Sequence, residues 1–80
     1  MEQPLSSLKP GENAIVTRIE CSGALRRRMI DMGITPGVAV TMGRPAPLGD
    51  PLQITLRGYE LSLRKSEAQE ILVEGTYDKT

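Results

Sequence analysis

The chain has 80 residues, and a domain of this size hides only about 60–65% of its unfolded surface on folding, which disfavours a deep catalytic cleft. Ten basic residues balance ten acidic ones and the pI is near 6.2, so the positive excess that a phosphate backbone selects for is missing and DNA and RNA are disfavoured partners. Hydrophobic residues at 39% and charged residues at 25% are globular composition and not the polar, highly charged signature of disorder.

Pro and Gly cut the sequence into short segments at Pro10-Gly11, Pro36-Gly37, residues 45–51 and Gly58. Short segments with frequent turns predict a mainly β chain folded as a small barrel, here of five strands. A first strand is expected over Asn13–Ile19, less clean than the others because Ala14, Ile15 and Val16 are consecutively apolar. A three-turn helix follows, inserted between the first two strands. Ser22 is its expected N-cap and Gly33 its C′ residue, and Leu25, Met29 and Met32 at i, i+4 and i+7 form one buried stripe. The Pro36-Gly37 turn then leads to a strand over residues 38–44, with Val38, Val40 and Met42 pointing one way. Residues 43–51 are too rich in Pro and Gly for a ladder strand and read as an ordered surface loop.

The clearest pattern lies between residues 51 and 64. Leu52, Ile54 and Leu56 alternate with polar residues, then Tyr59, Leu61 and Leu63 do the same. With Arg57-Gly58 as a two-residue hairpin loop, antiparallel pairing sets Leu56 opposite Tyr59, Ile54 opposite Leu61 and Leu52 opposite Leu63, so all six share one face. Ser66 and Gln69 fit a capping box for one helical turn. A final strand over residues 71–74 closes the sheet with Ile71 and Val73 inward, and a loose tail is expected from residue 76. The whole of residues 1–80 is expected to be one domain.

Histidine is absent, which removes the commonest metal ligand, the usual general base at neutral pH and the activator of a Ser or Cys nucleophile. No catalytic set is expected, and no cofactor. Cys21 has no second cysteine to pair with, as suits a reducing compartment, and between Glu20 and Asp31 it lacks the ligand spacing of a zinc or iron centre, so no metal site is expected. No apolar run approaches the roughly 20 residues needed to span a bilayer, and Met1-Glu2-Gln3-Pro4 carries no basic, signal-like start, so the chain is expected to act in the cytoplasm.

The one dense run of charge is Arg26-Arg27-Arg28. Successive helical residues stand about 100° apart, so the three fan around the helix. They read either as a solvated face with a pairing to Asp31 or as a contact surface for an acidic partner. The loop residues Pro45, Pro47, Leu48 and Asp50 read either as a stiff connector or as a partner-binding element. Two tyrosines with no Phe or Trp are too few for stacking single-stranded nucleic acid.

Several motifs occur in a recognisable order. They are Leu8-x-x-Gly11, then Leu25-Arg26-x-Arg28-Met29-Ile30-Asp31-Met32-Gly33-Ile34-x-Pro36-Gly37, then Ala46-Pro47-Leu48-Gly49-Asp50-Pro51, then Arg57-Gly58-Tyr59-x-Leu61-x-Leu63-Arg64-Lys65-x-Glu67-Ala68. The sequence resembles the FeoA family over nearly its whole length, with Met29 and Met32 standing where that family usually has Leu. The resemblance implies an SH3-like barrel and a non-enzymatic, cytosolic accessory role in ferrous iron transport. The implied partner is the cytosolic part of FeoB, a membrane transporter with a G-protein domain; transition-metal binding belongs to the family, yet a chain without His and with one Cys is poorly equipped to carry ferrous iron. A monomer is the favoured state. An alternative is a stand-alone regulatory module related to the C-terminal SH3-like domain of metal-responsive repressors. A further reading, an activator supplying an arginine to a nucleotide site, has no residue positioned for it. An SH3-like label carries no polyproline recognition here, because the aromatic groove that function needs is missing.

Overall fold

The computed structural model describes residues 2–44 and 49–75. Six strands, β1 (Glu2–Pro4), β2 (Asn13–Ile19), β3 (Ala39–Met42), β4 (Leu52–Leu56), β5 (Tyr59–Leu63) and β6 (Ile71–Gly75), form one antiparallel sheet in the order β1-β6-β2-β3-β4-β5. Helix α1 (Gly23–Asp31) joins β2 to β3, a short helix α2 (Lys65–Ala68) joins β5 to β6, and a 3₁₀ turn over Leu5–Ser7 follows β1.

The β4–β5 hairpin has the register the alternation predicts, with Leu52 opposite Leu63, Ile54 opposite Leu61 and Leu56 opposite Tyr59. Its loop residues both have positive φ, 51° at Arg57 and 84° at Gly58, as a type I′ turn requires to match the twist of the strands. Leu52, Ile54, Leu56 and Leu63 are buried, and Leu61 is half-buried. Tyr59, next to the turn on the sheet's last strand, stays 45% exposed. The six side chains share one face, but the edge position leaves that end of it open.

The consecutive apolar residues of β2 are explained by its two neighbours. Ala14 and Val16 face the core and Ile15 is half-buried on the other face, paired with Ala39 of β3 and Glu74 of β6. A bulge between Val16 and Arg18 then shifts the register, and the Thr17 hydroxyl donates to the Leu72 carbonyl at 3.1 Å. The extra residue turns the end of β2 so that Ile19 meets Ile71.

Three expectations need correction. The sheet has six strands and not five, because Glu2–Pro4 pairs with β6. A three-residue strand is too short to show a period of 2, and Pro4, which lacks an amide proton, is tolerated there because β1 lies at the sheet edge. The second predicted strand is shorter than residues 38–44 and covers Ala39–Met42, although Val38 is buried and its carbonyl accepts from the Val16 amide at 2.9 Å. Finally, α2 is capped two residues earlier than the Ser66–Gln69 capping box implies. Its cap is Arg64, whose amide donates to the Glu67 carboxylate at 2.9 Å.

The core joins the inward residues of the strands to Leu5, Leu8, Met29, Ile34 and Ala68, and no polar or charged side chain is buried among the described residues. Ile54 is fully buried at the centre of it. Ile54→Ala should lower the free energy of unfolding in urea by about 2–5 kcal/mol; a change near zero would show that this face does not form the core. Arg57→Asn, which eases the left-handed turn position, should raise stability by about 0.5 kcal/mol in the same measurement, and a loss would contradict the type I′ turn.

Candidate interaction surface

Helix α1 is short, and its placement is set by its C-terminal end. Met29 is fully buried, while Leu25 and Met32 pack half-buried against the core. Past the last turn the Gly33 amide donates to the Ile30 carbonyl at 2.9 Å and the Ile34 amide to the Met29 carbonyl at 3.0 Å. That pair is a Schellman motif, and the contact it favours between the flanking apolar residues is available in the buried Met29 and Ile34. It needs Gly33 in the left-handed region, where φ is +96°.

Gly33 has a second constraint. A Cβ there would stand 3.0 Å from the Tyr59 hydroxyl and 3.6 Å from a Leu56 methyl. The hydroxyl donates to the Met32 carbonyl, one of the acceptors a helix end leaves without an intrahelical partner. Tyr59 therefore lies across Gly33 and ties β5 to the end of α1. The N-terminal end is held less firmly, for Ser22 has cap geometry but its hydroxyl makes no capping bond.

The three arginines are dispersed as their spacing predicts. Arg26 and Arg27 line an open hollow of about 330 Å³ together with Gly23 and Ile30. These positions are i, i+3, i+4 and i+7, one stripe of the helix on the side away from Met29. Ile30 is 40% exposed, one of two large apolar side chains so exposed among the described residues. Neither Arg26 nor Arg27 has an ion-pair partner among the described residues. Arg28 points elsewhere. It does not pair with Asp31; its guanidinium meets the Glu67 carboxylate of α2 at 3.2 Å, with the two side chains 57% and 14% exposed.

Asp50 likewise has an internal partner, since its carboxylate accepts from the Lys65 amide at the start of α2 at 2.7 Å. Pro45, Pro47 and Leu48 lie outside the described residues. Gly37, in the turn before β3, has φ +95° with open space beside it. Sequence reasoning did not single out Ile30, Ser62, Arg64 or Glu67 as site residues. The exposure of Ile30 could have been read from its place opposite the Leu25–Met29–Met32 stripe.

Cys21 is a buried free thiol. No group of three or more His, Cys, Asp or Glu side chains able to hold a metal occurs among the described residues, and no described helix is long and apolar enough to cross a membrane. These features define a small antiparallel β domain with helix α1 fixed to its side.

The FeoA domain model matches residues 3–75, and the chain belongs to the FeoA family, a family of non-enzymatic accessory proteins of ferrous iron transport. It is 39% identical over 70 residues to a Fe(2+) transport protein A/Fe(2+) transporter FeoB fusion protein of Porphyromonas gingivalis; that match takes in 88% of this chain and 8% of the fusion protein's length. A FeoA-like protein from Clostridium acetobutylicum superposes with a TM-score of 0.89 at 39% identity, covering 99% of this chain and 92% of that one. A zinc-complexed FeoA from Stenotrophomonas maltophilia, described as a procaryotic SH3 domain protein, gives a TM-score of 0.79 at 29% identity, covering 90% and 89%. The fold is thus SH3-like, as the sequence resemblance implies. A manganese-dependent transcriptional repressor shares the fold at a TM-score of 0.86 over 94% of this chain and 37% of its own, but at 18% identity the likeness carries the fold alone.

Replacing Gly33 with Ala should cost about 1–2 kcal/mol of stability in urea denaturation, because an L side chain is strained at this φ. The penalty should shrink when Tyr59→Phe is made first, since removing the hydroxyl clears the 3.0 Å approach. Tolerance of Ala in both backgrounds would mean that the helix ends another way.

Proposed function

We propose that this chain is a cytosolic accessory of ferrous iron transport that acts by docking on the cytosolic part of a FeoB-type transporter through the outer stripe of α1. The observation that carries the reading is Ile30, exposed between Arg26 and Arg27 above an open hollow while the opposite side of the same helix is anchored in the core. An apolar centre rimmed by arginines has the composition of an interface anchor, since Arg is enriched at contact sites and an apolar side chain gains by leaving water. The two guanidiniums, without an ion-pair partner among the described residues, select an acidic partner surface and speed encounter with it.

Family membership and the fusion relative support the choice of partner. Joining two modules in one chain turns their association into an intramolecular event at high effective concentration, an arrangement that suits modules that work in contact. Nothing in this reading requires the chain to hold iron or to carry out a reaction.

The test is direct binding between this chain and the purified cytosolic region of the transporter, by calorimetry across a range of salt concentrations. The wild-type chain should bind, with affinity falling as salt rises. The double variant Arg26→Glu, Arg27→Glu should bind about tenfold more weakly or worse and lose most of the salt dependence. Unchanged affinity would move the contact to another face, and failure to bind even the full-length transporter in membranes would end the reading.

A further inference from the structure

A second cleft lies between the two helices, apart from the α1 stripe. It has a volume of about 270 Å³ and is lined by Arg28, Asp50, Pro51, Ser62, Arg64 and Glu67. Two arginines and two carboxylates make it formally neutral, so long-range charge does not decide what enters. The supply of hydrogen-bond donors and acceptors does. Glu67 accepts from the Arg28 guanidinium at one carboxylate oxygen and from the Arg64 amide at the other. Asp50 accepts from the Lys65 amide. Both carboxylates are thus engaged by groups of the protein itself, and the Arg28 pairing and the amides at the start of α2 offset their charge.

The donors are not used up. A guanidinium carries five N–H groups, and Arg28 directs one of them to Glu67. The Arg64 side chain has no ion-pair partner among the described residues, and Ser62 adds a hydroxyl to the same cleft. Arg28 is moreover oriented by Glu67, a side chain only 14% exposed, so part of the cost of ordering a long cation has already been met in the free protein. Unused N–H and O–H donors therefore outnumber the acceptor sites still open on Asp50 and Glu67, and the acceptor that matches a guanidinium fork is a carboxylate.

We infer that the α1–α2 cleft is a carboxylate-binding site, formed by Arg64, Arg28 and Ser62, that receives an Asp or Glu side chain from an acidic segment of a docked protein partner. This rests on the reading that the chain works by docking on another protein, but it concerns a different face from Arg26, Arg27 and Ile30. Asp50 and Glu67 act here as positioning residues. Glu67 orients the Arg28 guanidinium, and Asp50 holds the start of α2 beside the cleft.

Two measurements on the full chain decide it. In the first, a blocked tetraglutamate peptide is titrated into the labelled protein and the arginine side-chain and backbone amide signals are followed by NMR, with a tetralysine peptide as control. Saturable shifts are expected at Arg64, Arg28 and Ser62 with the glutamate peptide only, and they should vanish in Arg64→Gln. No shifts in the wild-type protein, or shifts that persist in Arg64→Gln, would overturn the site. In the second, Arg64→Gln is compared with wild type for binding to the transporter's cytosolic region, where about a fivefold loss is expected, with Arg64→Lys intermediate. Equal affinity would overturn the site while leaving the docking reading intact. If the wild-type chain does not bind that region at all, the docking reading fails and the peptide titration alone decides the cleft. Arg64→Gln should leave the urea midpoint unchanged, because the side chain it alters supports no other described residue.

Discussion

Met29 anchors α1 in the core, and two residues later the chain must leave the helix, reverse and return to the sheet. That reversal is possible because Gly33 enters the left-handed region, which lets the Ile34 amide reach back to the Met29 carbonyl. Tyr59 then lies over the same glycine with its hydroxyl on the Met32 carbonyl, joining the helix end to the edge strand. The side of α1 that faces water follows from these contacts. With Met29 inward, Gly23, Arg26, Arg27 and Ile30 face outward, and Arg28 lies on a flank where it reaches Glu67. The ion pair, partly exposed, adds at most about 1 kcal/mol and serves more to orient than to stabilise.

The core beneath the helix contains no aromatic side chain among the described residues and no disulfide; it is made of Leu, Ile, Val, Met and Ala with the Cys21 thiol. Aliphatic side chains suit the narrow space inside a small sheet, and Met29 and Met42 can fill irregular gaps between branched neighbours. Both hollows described above are surface features flanking α1. Helix α1 is the element that breaks the regularity of the sheet's exterior.

Where two local signals agreed, sequence reasoning reached the structure. In the β4–β5 hairpin the alternation of Leu52, Ile54 and Leu56 with Tyr59, Leu61 and Leu63 and the Arg57-Gly58 loop fix the same register, and the end of α1 at Gly33 had both a periodic stripe and a following glycine. Glu2–Pro4 could not be read, because its pairing with β6 is a long-range contact of a segment too short to carry a pattern. The bulge at Thr17 was hidden for a related reason: which of three consecutive apolar residues turns inward depends on the neighbouring strand. For the surface, the fan of Arg26, Arg27 and Arg28 was legible from helix geometry alone. Their division was not, since the pairing of Arg28 with Glu67 spans 39 residues, and neither was the role of Asp50 at the start of α2.

The proposed docking depends most on the outward stripe of α1 being the face that meets the partner. Hydrogen exchange of the full chain, followed by mass spectrometry with and without the transporter's cytosolic region, maps that face without altering any residue. Protection concentrated on peptides covering residues 23–31, with the outer sheet face around Ile15 and Leu72 unchanged, is the predicted result. Protection on that sheet face, with α1 exchanging as in the free protein, would contradict it.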